Sequence, residues 1–116
     1  MATSKANVEV MPAPQGGDNR EVVVHIRVEN GKIRVEPETF HVHKHLDQEV
    51  KWICNEGEGE FLVEFKESPF YEFQYSKDAP VSGLARRSIL ADKHRVYKYT
   101  VRVGDLVLDP GGVIKK

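Results

Sequence analysis

Cys54 is the only cysteine among the 116 residues. No disulfide can form within the chain, and no cysteine framework points to an oxidising compartment. Long apolar runs are missing too. Residues 1–30 hold nothing like the core of a secretory leader, and no stretch approaches the roughly 20 apolar residues of a membrane-spanning helix. Neither sign of charge dominates, since 17 Lys and Arg oppose 18 Asp and Glu. The basic surplus with which nucleic-acid modules neutralise phosphates is therefore absent. These absences lead us to expect a cytoplasmic protein whose partner is neither nucleic acid nor membrane.

Catalytic signatures are also lacking. No glycine-rich strand-to-helix loop is present to cradle a phosphate, and no serine, cysteine or carboxylate constellation has the spacing of a reacting site. Neither an enzyme nor a cofactor is expected. Cys54 falls in the alternating row Val50, Trp52, Cys54, which describes a packed core thiol better than an open, electropositive nucleophile.

What is present has the texture of an all-β domain. Residues 1–20, with Met11-Pro12-Ala13-Pro14 and Gly16-Gly17, read as a flexible lead, and 21–116 as a single domain. Val22 to Val28 form a β-branched run closed by Asn30-Gly31, a tight-hairpin signal, and Ile33-Arg34-Val35 resumes the strand. Val50, Trp52 and Cys54 should point one way, as should Phe61, Val63 and Phe65. Tyr97, Tyr99, Val101 and Val103 alternate with polar residues, Gly104-Asp105 makes a turn, and Pro110-Gly111-Gly112 ends the segment before a short Val113-Ile114 strand. Residues 77–95 show no clear period, leaving a short helical turn near Leu84 to Leu90 as one reading.

His41, His43 and His45 alternate with Phe40, Val42 and Leu46, which places the imidazoles on one face of a strand. Alternate side chains on a strand stand about 6.6 Å apart at Cα, so two neighbours would share a Zn, Ni or Cu(II) ion at about 2.0 Å from each nitrogen. A third ligand would have to come from elsewhere, His25 or Asp47 for instance. The competing reading is a histidine-rich exposed sheet face.

Two further segments carry a family resemblance. Val50-Lys51-Trp52, after an extended strand and a polar turn, and Tyr97-Lys98-Tyr99-Thr100-Val101 are similar to paired motifs of the bacterial plastocyanin-like cupredoxins. The resemblance covers residues 32–116 and implies a cupredoxin-like Greek-key β-sandwich. Copper-binding members hold the metal with two histidines, a thiolate and a distant methionine. At the matching positions this sequence has Phe61 for the first histidine and Val101 for the cysteine, and no Cys, His or Met follows Val101. The resemblance thus implies a sandwich without blue-copper chemistry.

Surface candidates complete the reading. Phe70, Tyr71, Phe73 and Tyr75 beside Pro69 divide between core packing and an exposed edge or groove. Residues 56–72 hold six glutamates against Lys66, whereas residues 84–102 hold Arg86, Arg87, Lys93, Arg95, Lys98 and Arg102 against Asp92. Opposed runs like these either steer a partner, a second copy included, or pair with each other. The expected function is a copper-free, non-catalytic interaction module using Phe70, Tyr71, Phe73, Tyr75, Arg86 and Arg87, with self-association or a protein partner. The alternative is metal binding at His41, His43 and His45.

Overall fold

The computed structural model describes residues 20–55, 57 and 59–116. Apart from Arg20, the expected lead lies outside them. Arg20 already belongs to the folded part, because its carbonyl accepts the Glu49 N–H at 2.7 Å.

Alternation along the chain produces nine strands and no α-helix among the described residues: β1 (Glu21–Glu29), β2 (Lys32–Glu36), β3 (Thr39–His43), β4 (Glu49–Cys54), β5 (Leu62–Phe65), β6 (Gln74–Ser76), β7 (Tyr97–Val103), β8 (Leu106–Leu108) and β9 (Gly111–Lys115). They form a smaller sheet in the order β2-β1-β4 and a larger one in the order β3-β9-β7-β5-β6, with β8 also on β7. Asn30 and Gly31, at φ 54° and 74°, form the two-residue turn that sets the antiparallel register Val28 with Ile33. Parallel pairs, β1 with β4 and β3 with β9, bring sequence-distant strands together.

Between the sheets lies an aromatic core. Trp52 stacks on Tyr75 and Phe65 on Tyr99, each pair at 5.0 Å between ring centroids, while Phe40 and Phe70 meet these rings at their edges or at a tilt. Such rings carry large apolar area plus roughly 0.5–1.5 kcal/mol per well-placed pair. The expected inward rows on β4 and β7, and the row from Phe61 into β5, are buried except for Val103, which is half-buried at the end of β7.

Four readings are refined. β8 ends at Leu108 as expected, but the glycines after Pro110 are not part of the break. They open β9, and Gly112 faces Phe40 in register, where only a missing side chain leaves room for the ring. The span Leu84 to Leu90 holds no helix, only a single turn in which the Ile89 N–H donates to the Arg86 carbonyl at 3.0 Å. Of the aromatic stretch after Pro69, only Gln74–Ser76 is a strand. Leu46, expected inward, is exposed, because the chain leaves β3 at His43 and makes a 3₁₀ turn over Lys44–Leu46, closed by Asp47 at φ 52°.

Candidate interaction surface

Three connections meet at the end of the sandwich where β3 and β5 finish: the 3₁₀ turn with Asp47 and Gln48, the segment 66–73, and the segment 82–92. Gly57, Gly59 and Glu60 lie in the β4–β5 connection, toward the opposite end.

Segment 66–73 is rigid for a loop. Ser68 is buried; its hydroxyl donates to the Glu72 carbonyl at 2.7 Å and accepts the Phe70 N–H at 3.0 Å. Phe70 and Pro69 are packed away from water. Arg86 joins this loop to segment 82–92, its guanidinium donating to the Ser68 carbonyl at 2.8 Å and its N–H to the Pro69 carbonyl at 2.7 Å. The Tyr75 hydroxyl lies within reach of the carbonyls of Glu72, 3.0 Å, and Ser82, 3.3 Å. Burial pushes its pKa up to about 12. Buried Ser82 ties the segment to β4 by accepting the Val50 N–H at 2.8 Å.

The third connection is fastened by Lys44, whose ammonium donates to the Ile89 carbonyl at 2.6 Å and reaches that of Arg87 at 3.5 Å. A groove of about 340 Å³ runs between the turn and segment 82–92, lined by Lys44, Asp47, Gln48, Leu84, Ala85 and Arg87.

Around this framework large apolar side chains face water: Leu46 is 55% exposed, Tyr71 62%, Phe73 51%, Leu84 48% and Leu90 81%. Single exposed hydrophobes are ordinary, but several gathered on one end of a small domain mark a contact surface. The loops presenting them are held by buried hydrogen bonds, so little ordering entropy is lost when they are covered.

The sequence expectations divide accordingly. Tyr71, Phe73 and Arg87 are exposed on this end. Phe70 and Tyr75 are core residues, and Arg86 is a partly buried clasp, so these three are withdrawn from the contact surface. Leu84 and Leu90 carry no periodic signal in an irregular segment, and Leu46 continues the alternation of Phe40 and Val42 and so reads as inward from sequence. The opposed charge runs partly neutralise each other through Arg95–Glu67 at 3.2 Å and Arg102–Glu64 at 3.0 Å.

The histidines are not gathered into one site. His41 and His43 share a face of β3, but His45 sits on the 3₁₀ turn. His25 is on β1 between inward-facing Val24 and Ile26, and thus on the outer face of the other sheet. His43 Nδ1–H donates to the Lys116 carbonyl at 2.9 Å. The His41 pKa is lowered, first by burial, then by the charges of Lys115 and His43. Among the described residues, no group of three His, Cys, Asp or Glu is placed to hold an ion.

The positions matched to copper ligands do not fit copper. Val101 pairs with Val63 in the core, and Phe61 is buried just before β5. Neither offers a donor atom. Cys54, buried at the end of β4, lines a shallow depression with Phe61 and Lys77 but with no histidine.

No helix among the described residues is long and apolar enough to cross a membrane. Comparison of the chain with protein-family models, curated proteins and solved structures finds no match.

Proposed function

We propose that this chain is a non-catalytic, copper-free, cupredoxin-like interaction module that engages a protein partner through the loop-bearing end of its sandwich. The observation that carries this reading is the gathering of Leu46, Tyr71, Phe73, Leu84 and Leu90, all exposed, on loops fixed by Arg86, Ser68 and Lys44. A Greek-key arrangement is supported by the way β3 leaves the sheet of β2 and β4 and is rejoined by the distant β9. Hydrocarbon at Phe61 and Val101 supports a sandwich that performs its role without copper.

Leu84→Asp combined with Tyr71→Ser tests the reading. Both side chains are exposed, so circular dichroism and the unfolding midpoint should hardly move. Co-purification of a defined partner with the tagged chain from its native cells should be lost. Unchanged co-purification would contradict the assignment of this surface.

A second reading, transition-metal binding, has its support in His41 and His43 on one strand face. It requires that an ion bound by the purified chain be lost when both are replaced by alanine.

A further inference from the structure

We propose that the partner of this surface is a second copy of the chain, docked end to end about a twofold axis. The proposal rests on the interaction-module reading and names its partner.

The argument is the self-complementarity of the patch. Tyr71, Glu72 and Phe73 are consecutive and all exposed, so segment 66–73 offers a carboxylate and two aromatic rings to solvent. Leu84 and Arg87 place an apolar side chain beside a guanidinium on the rim of the 340 Å³ groove. Arg86 clasps the two segments together, so segment 66–73 and the Leu84–Arg87 side of the groove belong to one end, while Asp47 lines the opposite side of the groove with Lys44, whose ammonium is held by the Ile89 carbonyl. A twofold contact requires that patch i meet patch j and patch j meet patch i. Here segment 66–73 of each copy enters the groove of the other, and Glu72 meets Arg87 twice.

Charge supports this occupant over others. Glu72 and Arg87 belong to none of the ion pairs among the described residues. Covering the leucines and aromatics would strip water from both charges, a cost that is offset only by an opposite charge in good geometry. The twofold arrangement supplies that charge from the chain itself, and it closes at two copies rather than growing into a filament.

Sedimentation equilibrium of the full chain across protein concentration tests the proposal. Wild type should pass from monomer to dimer and no further. Tyr71→Ala should weaken the dimer about tenfold or more, as expected for an aromatic anchor. Glu72→Arg and Arg87→Glu should each weaken it by a similar factor, and the double variant E72R/R87E should return to within about threefold of wild type, because opposite charges face again. The unfolding midpoint of each variant shows that its fold is kept. Failure of the double variant to recover would overturn the proposal, as would a wild-type chain that stays monomeric at high concentration. Two further results identify a different occupant and also overturn it: a monomer that cross-links from position 71 to another protein, which leaves the interaction module standing, and a monomer that sediments with phosphatidylserine vesicles, which removes both readings.

Discussion

Gly112 lies directly beneath the ring of Phe40, so close that a Cβ would overlap the ring carbons Cζ, Cε1 and Cε2. This contact seats β3 on β9 and so fixes the strand from which the 3₁₀ turn of the contact surface departs. Gly112→Ala should destabilise the domain by about 1–3 kcal/mol or more, the usual cost of overpacking a core. Chemical denaturation checks this. Combining it with Phe40→Leu should cost less than the sum of the two single changes, because the clash is shared.

Burial raises two phenols. Tyr75 and Tyr99 are each pushed from 10.0 up to about 12. The folded state thus holds these protons more tightly than the unfolded chain. Their stabilising contribution is fully present below pH 10 and is lost as pH rises from 10 through 12. Denaturation midpoints should be flat up to about pH 9.5 and fall across that window, and Tyr75→Phe should reduce the fall.

Cu(II) added to the purified chain should produce no intense thiolate-to-copper absorption, since Phe61 and Val101 offer no donor and Cys54 has no histidine beside it in the depression it lines. Any copper retained should show only weak visible bands and be lost from the His41→Ala/His43→Ala variant. The depressed pKa of His41 is checked by following its ring protons with pH. Lys115→Gln should raise it by removing the second of its causes, and a value that does not move would contradict the electrostatic account.

Much of the sheet was legible in the sequence because its signals are local. The Asn30-Gly31 turn and the alternation of Val50, Trp52, Cys54 and of Tyr97, Tyr99, Val101 are read directly. Gly111-Gly112 misled for a physical reason: glycine signals a turn from local conformational freedom, whereas here Gly112 answers the need of a ring on a distant strand. His45 parts from His41 and His43 because the strand stops at His43, where the Gln48 side-chain oxygen accepts its N–H at 2.9 Å. The surface was only half legible. Alternation alone would put Tyr71, Phe73 and Tyr75 on one face, yet Ser68 folds the chain so that Phe70 and Tyr75 go inward and the other two outward. No local pattern reveals that Arg86 brings Leu84 and Arg87 to the same end.

The central claim is that partners meet this molecule at its loop-bearing end. Position-specific photocross-linking in intact cells tests it most directly, with the probe at Leu84 or Tyr71 and, for comparison, at Val107, which is equally open to solvent but lies on β8. The account expects a discrete adduct, the same from positions 84 and 71, and none from 107. Adducts that form equally from all three positions, or from 107 alone, would contradict it.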